Sequence, residues 1–457
     1  MRWAAAELGG ATLGDKRRTD RLVQLAAAVA ESPGGTVTQV LGSSAGREGA
    51  YRLLENDEVE PVEIARAATH ACLERTKGLP YFFAPLDGSS LTLTDRKGTR
   101  GLGPIGDSTV ASRGIEAMST IGVSPDGTPL GYCGQQYWVR PNKPVRIPAH
   151  RRSIKEKETR HWLNAMDFLE GERASVPGSA TPWYQLDRGG DFKELFDWTV
   201  GKVSFVTVRA ASNRRLADKH ARLLWDELQI APLLGHYTLE IQPSRTRKPR
   251  VAKLSVRAKT VTLRLMDRRT SSITEVPVQA VFIREVQTAP EGETPIEWLL
   301  LTNHGVKDFE EARLVIYGYS MRWRIEEFHR TWKTTCGIEQ AQLRSLGAME
   351  RWATTLSVVA MRIQRLTYLA RTAPDLPASV EFAEDEIESL IVLKKPGKRK
   401  TDFMPSIGQA VGWIAELGGY TGKSSGRPPG AQVLGRGLVK LSGATEMLVC
   451  LKEQGKA

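Results

Sequence analysis

With 457 residues, 41% of them apolar and 25% charged, the chain is too long for one compact core and too apolar for general disorder, so about two to four folded domains are expected. No apolar run approaches the ~20 residues of a membrane helix, and the start of the chain lacks a signal-peptide core, so a soluble intracellular protein with no membrane partner is expected. The formal charge of +12 and pI near 9.5 favour a polyanionic partner.

The charge is unevenly spread. Residues 140–280 hold 27 Lys and Arg against 15 Asp and Glu, the whole excess of the chain, whereas residues 1–80 hold 10 against 11. The middle is therefore the expected electrostatic footprint, and any nucleic-acid role of the N-terminus must rest on a local cluster. Cys72, Cys133, Cys336 and Cys450 are scattered with no CxxC pair, which predicts reduced thiols rather than disulfides or structural zinc.

Residues 1–78 read as a small helical domain. Asp15 is placed to cap a helix carrying Lys16, Arg17, Arg18 and Arg21, with Leu22, Leu25 and Val29 on its buried side and Pro33-Gly34-Gly35 ending it. Glu48–Leu54 and Val62–Glu74 predict two more helices. From Leu79 the pattern turns to strands: Tyr81–Leu86, then a hairpin of Met118–Val123 and Leu130–Val139 about Pro125-Asp126-Gly127. A charged helix over Ser153–Leu169 and short apolar strands at Trp183–Leu186 and Val203–Val208 complete an α/β alternation.

Residues 236–303 break that alternation with five strand-like segments, 236–241, 252–256, 261–265, 278–283 and 298–302, which predict an antiparallel β insertion. Within it Arg245, Arg247, Lys248 and Arg250 belong to a basic cluster suited to phosphates. One long helix is expected from Asp308, with Glu311 as its capping partner, to just before Gly337, and another over Met349–Arg371. Past Thr372 an acidic stretch, a basic linker at Lys394–Lys400 and a helical region from Ser406 predict a mostly α-helical domain over 373–457, used for association.

At 100° per residue the long helix gathers Tyr319, Arg322, Glu326, Arg330 and Lys333 on one face, opposite Leu314, Met321, Ile325, Phe328 and Trp332. Asp87 and Asp187 follow short apolar strands and adjoin Gly88-Ser89 and Gly189-Gly190; α/β sheets place their sites at such strand ends. Pro85 counts slightly against a central strand position.

The segment from Tyr319 through Arg322 and Glu326 to Lys333 resembles the Tyr-Arg-Glu-Lys signature of the insertion-sequence-four family of DDE transposases, in particular their transposon-five type. Leu13-Gly-Asp-Lys-Arg-Arg18, Arg47-Glu-Gly-Ala-Tyr-Arg52, Leu86-Asp87, Trp138-Val-Arg-Pro141, Leu186-Asp187-Arg188 and Trp298-Leu-Leu-Leu-Thr302 resemble the same enzymes. The likeness runs from about residue 10 to 370 and fades beyond, and Gly189 stands where the family often has an acidic residue.

That resemblance implies a ribonuclease-H-like catalytic domain over residues 79–372, with Asp87, Asp187 and Glu326 as catalytic metal ligands, 100 and 139 residues apart. Two Mg²⁺ ions, with Mn²⁺ as a substitute, suit an all-oxygen donor set and an in-line phosphodiester displacement. Arg322, Lys333 and Tyr319 would hold phosphates, Arg188 and Arg330 would add to the DNA contacts, and Trp298 would stack on a flipped base during hairpin formation. The N-terminal Lys16, Arg17, Arg18, Arg21, Arg47 and Arg52 would read the element ends. A bacterial, cytoplasmic enzyme that pairs two double-stranded ends as a homodimer is implied. Two competing readings are a catalytically idle end-binding inhibitor and a structure-selective nuclease on the same core.

Overall fold

The computed structural model describes residues 2–454 apart from 96–97, 107–111, 143–146, 219, 221, 242–248, 287–288, 291, 395–402 and 423–427. The N-terminal helices are α1 (Arg2–Leu8), α2 (Lys16–Glu31), α3 (Val37–Val40), α4 (Ser44–Leu54) and α5 (Pro61–Glu74). Asp15 caps α2 by accepting from Arg17 N at 2.8 Å, and α2 buries Leu22, Leu25 and Val29. The two short helices α1 and α3 escaped the periodicity argument because neither spans enough turns to show a face.

The centre is one ten-stranded mixed sheet, in the order β2-β3-β1-β5-β6-β10-β9-β8-β7 with β4 on β3. Its strands are β1 (Tyr81–Thr92), β2 (Gly103–Pro104), β3 (Arg113–Val123), β4 (Pro129–Trp138), β5 (Thr181–Leu186), β6 (Phe205–Arg209), β7 (Leu233–Ile241), β8 (Arg250–Met266), β9 (Ile273–Glu285) and β10 (Glu297–Thr302). The strand-rich region after residue 233 is thus continuous with the rest: β10 pairs with β6 on one side and with β9 on the other. Segments 252–256 and 261–265 are a single strand, β8, because Ala258, Lys259 and Thr260 pair with β9 without a break. β1 likewise runs past Leu86 to Thr92. Pro85 is tolerated because pairing to β3 is interrupted at Ala84 and Pro85, where no donor is required.

Helices cover both faces. α6 (Arg160–Ala174), α7 (Lys193–Thr199) and α8 (Leu224–Ile230) pack with Leu86, Tyr184, Leu186 and Val206, while α9 (Phe309–Ser320), α10 (Trp323–Arg330) and α11 (Leu346–Thr372) pack with Phe83, Ile121 and Leu300. α6 starts later than expected because Ser153 and Glu156 close a separate tight turn, with Ser153 N donating to Glu156 Oε2 at 2.8 Å.

The single helix expected from Asp308 is broken. Asp308 does cap it, accepting from Glu311 N at 2.9 Å, but Met321 N and Arg322 N turn to carbonyls three residues back, at 3.0 and 3.1 Å. α10 then runs into a π-type turn at Thr331–Thr335. Gly318 lets α9 press onto β1, since a Cβ there would lie 2.6 Å from the Phe83 ring.

α11 is buried on nearly every side and ties the ends of the chain together. Its Arg351 donates to the Leu54 carbonyl at 2.9 Å, and Trp352 Nε1 donates to Gly35 O at 2.9 Å. The C-terminal helices α12 (Glu384–Lys394), α13 (Ile407–Leu417) and α14 (Ala431–Glu453) share this core, with α13 and α14 against α11 and α14 also against α2. Among the described residues no helix is long and apolar enough to cross a membrane.

Candidate functional site

The parallel pair β1 and β5 aligns Tyr81 with Thr181 and Pro85 with Gln185, so Asp87 and Asp187 occupy equivalent positions two residues beyond the last pair. Their spacing of 100 is the register of the two strands. Asp87 is not at a strand end, as the sequence suggested, but at the point where β1 leaves β5 and continues on β3 alone, opposite Ser119. Asp187 caps the turn Arg188–Gly190 and accepts from Gly189 N at 2.7 Å. A Cβ on Gly189 would stand 3.0 Å from the Asp187 carboxylate and 3.3 Å from the Trp162 ring, so a side chain there would require its neighbours to give way.

Burial and the negative charge of Asp187 push the Asp87 carboxyl up to about 6, against the opposing pull of Arg322 and the Gly88 N–H. Arg322, at the helix break, reaches both Asp87 Oδ2 at 3.2 Å and Glu326 Oε1 at 2.5 Å. The three side chains are 20%, 15% and 33% exposed for Asp87, Arg322 and Glu326. They are dry enough to interact strongly and open enough to meet a ligand.

Among the described residues no three His, Cys, Asp or Glu side chains stand close enough to hold an ion, and the Arg322 guanidinium lies between two of the three carboxylates. The donor chemistry nonetheless fits a hard divalent cation, because every donor is a carboxylate oxygen and the pair Asp87–Asp187 is held under mutual repulsion. Arg322 supplies the positive charge that this arrangement demands.

Other expected residues surround this centre. Lys333 donates to Ser90 O on β1 at 2.7 Å. Tyr319 is buried against Arg322 and Arg209, and its hydroxyl is shifted upward by that burial. Trp298 is half-buried, edge-on to Tyr319 at 5.6 Å between ring centres. Arg188 is exposed beside Asp187. Buried His329 meets Ser119 Oγ at 3.1 Å, and burial followed by Lys333 holds its imidazole down to about 3.

Arg209 was missed. It ends β6 opposite Leu300, donates to Glu297 O at 3.1 Å and shares Tyr319 with Arg322; burial, then Arg188 and Arg322 against the favourable Tyr319, lower its proton affinity. The clue available in the sequence was an arginine closing an apolar strand, one residue past Val208, which pairs with Leu186.

Several expected contacts lie elsewhere. Arg330 lines a cavity on the far end of α10 with Arg371 and the start of α14. Arg250 is no free phosphate contact, since it is engaged with Glu285 and with Glu293 at 3.1 Å. Arg245, Arg247 and Lys248 fall outside the described residues. On the N-terminal helices Lys16, Arg17, Arg21 and Arg52 are exposed; Lys16 pairs with Asp20 at 3.1 Å and Arg52 with Glu48 at 2.5 Å, while Arg21 lies over Gly49 of α4. Arg18 is turned to the Leu13 carbonyl and Arg47 to those of Gly42 and Ser43.

Two family models match the chain. Residues 1–59 match the transposase DNA-binding family, and residues 358–448 match the Tn5 transposase dimerisation domain. Together they support a likeness to Tn5-type transposases of the insertion-sequence-four family. The second match corrects the expectation that the likeness fades near residue 370, and it supports homodimer formation. The first supports DNA binding by the N-terminal region despite its near-neutral charge. Asp87, Asp187 and Glu326 lie outside both matched spans.

Proposed function

We propose that the protein is a cut-and-paste DNA transposase that binds the ends of its element, pairs them, cleaves both strands and joins the released ends to target DNA. The mixed sheet with Asp87 and Asp187 on adjacent parallel strands and Glu326 on a following helix is consistent with a ribonuclease-H-like core. The observation that carries the reading is the bridge of Arg322 from Asp87 to Glu326, which brings carboxylates 239 residues apart in sequence to one arginine beside Asp187.

Asp87, Asp187 and Glu326 would hold divalent metal, which when bound supplies Lewis-acid activation of the attacking oxygen and stabilises the departing one. Arg322, which bridges Asp87 and Glu326 here, would be available to a non-bridging phosphate oxygen, to which its planar fork is suited, were those carboxylates engaged by metal. Arg209 and Lys333 add charge on either side, and Tyr319 orients Arg322. Trp298, half-exposed beside Tyr319, offers an indole face to a base displaced from the duplex during hairpin formation.

The test is incubation of the full chain with its element-end duplex in Mg²⁺ or Mn²⁺. Nicking at the end, then hairpin and strand-transfer products, is the expected result. Binding without cleavage would establish the inhibitor reading instead, and cutting without end preference or joining would establish a structure-selective nuclease.

A further inference from the structure

We propose that the cavity between α10, α11 and α14 is a binding site for a nucleoside phosphate, either free or as a nucleotide of a bound strand. The cavity measures about 340 Å³, within the range of small-ligand pockets, and its lining includes none of Asp87, Asp187 and Glu326.

Its rim is cationic. Arg330 and Arg371 line it, both residues are exposed, and neither has a carboxylate partner among the described residues. The first turn of α14 closes another side. Gly430 caps that helix without a side-chain hydrogen bond, and the N–H groups of a first turn have no acceptor within their own helix. Two guanidinium groups and an open helix start are a phosphate-binding combination.

The interior asks for something more than an anion. Gln364 lines the cavity, is 3% exposed, and gives its amide nitrogen to the Arg324 carbonyl at 2.8 Å, while its Oε1 is a buried acceptor with no partner. The Thr335 hydroxyl in the same lining is also buried and unpartnered. Glu327, also in the lining, is already engaged by the Tyr368 hydroxyl at 2.7 Å and by Arg324 at 3.6 Å. Bare phosphate satisfies the arginines but leaves the Gln364 oxygen and the Thr335 hydroxyl unmet, with the Glu327 carboxylate nearby. A ligand with an anionic end and N–H or O–H donors a few ångströms away satisfies both, and a nucleotide has that polarity. Because Gln364 holds a carbonyl at the beginning of α10, occupancy would be felt two residues from Glu326.

The experiment uses the full-length chain and three probes: deoxyadenosine 5′-monophosphate, inorganic phosphate and the end duplex. Calorimetry and melting curves are recorded for the parent and for Arg371→Gln, an exposed position where the unliganded melting temperature should not move. The expected result is nucleotide binding stronger than that of inorganic phosphate and weakened by about tenfold or more in the variant. If the mononucleotide does not bind, but Arg371→Gln lowers duplex affinity and reduces its salt dependence by about one ion, the nucleotide belongs to DNA. If the variant changes neither, the proposal is overturned. None of these readouts requires cleavage, so they stand or fall separately from the catalytic reading.

Discussion

Burial and, after it, the negative charge of Asp187 across the parallel pair β1 and β5 raise the proton affinity of Asp87. The raised carboxyl takes up its proton as pH falls through about 6, so divalent-cation binding should weaken below that pH and hold above it. Asp187→Asn removes the like charge and should bring Asp87 down toward the ordinary carboxylate value. Carboxylate-resolved NMR titration of the metal-free protein checks this, and an unmoved Asp87 would contradict the juxtaposition. Asp87→Ala, Asp187→Ala and Glu326→Ala should each abolish cleavage while leaving end binding largely intact; full activity in any one would remove that residue from the site.

Arg322 serves as the internal counterion of Asp87 and Glu326, so it opposes the cation it is meant to accompany. Arg322→Ala should therefore tighten Mn²⁺ binding at pH 8 by a few-fold, as seen by titration, yet cut the cleavage rate by about a hundredfold through loss of the phosphate contact. A parallel loss of both would make it a purely structural residue.

Trp298→Ala should slow hairpin formation more than the first nick, by the roughly 1–3 kcal/mol that stacking of one base contributes. Single-turnover assays separate the two steps. Equal slowing would mean that the indole serves only to pack against Tyr319.

Arg250 holds Glu285, whose side chain is fully buried, so Arg250→Ala should destabilise the β8–β9 region by about 2 kcal/mol in denaturant titrations. The salt dependence of duplex binding should stay as in the parent. A slope reduced by about one ion would restore the phosphate-contact role expected from sequence.

His329 is buried in its neutral form, with a folded value near 3 against 6.5 for the free side chain, and His161 is depressed to about 4 by burial and then by Arg160. A depressed folded value means that the unfolded chain binds the proton first. Stability should be complete above about pH 6.5 and fall progressively as the pH drops toward 3. Melting temperatures across that window should decline less steeply in His329→Gln, whose amide can still meet Ser119.

The order strand Asp, strand Asp, antiparallel strands, helix Glu was legible in the sequence, because each is signalled locally by apolar runs, turns and helical spacing. What escaped were features set by distant partners. The extent of β1 past Asp87 depends on β3, which sits nearly thirty residues downstream. The break at Met321–Arg322 carries no glycine or proline; it is recorded in backbone bonding, with the Arg324 carbonyl held from α11 by Gln364. Arg250 misled for a related reason, since Glu285 and Glu293 lie 35 and 43 residues away and engage it only once the chain returns beside β8.

The alignment of β1 with β5 has an evolutionary corollary. Because interstrand hydrogen bonds, and not the length of the intervening chain, decide how the two aspartates meet, the stretch between them can gain or lose residues in its loops without disturbing their encounter. One residue added within either strand, by contrast, would turn a carboxylate to the opposite face of the sheet. Lineages of such enzymes should therefore vary freely in the distance between these two acids while conserving the few residues that lead into each.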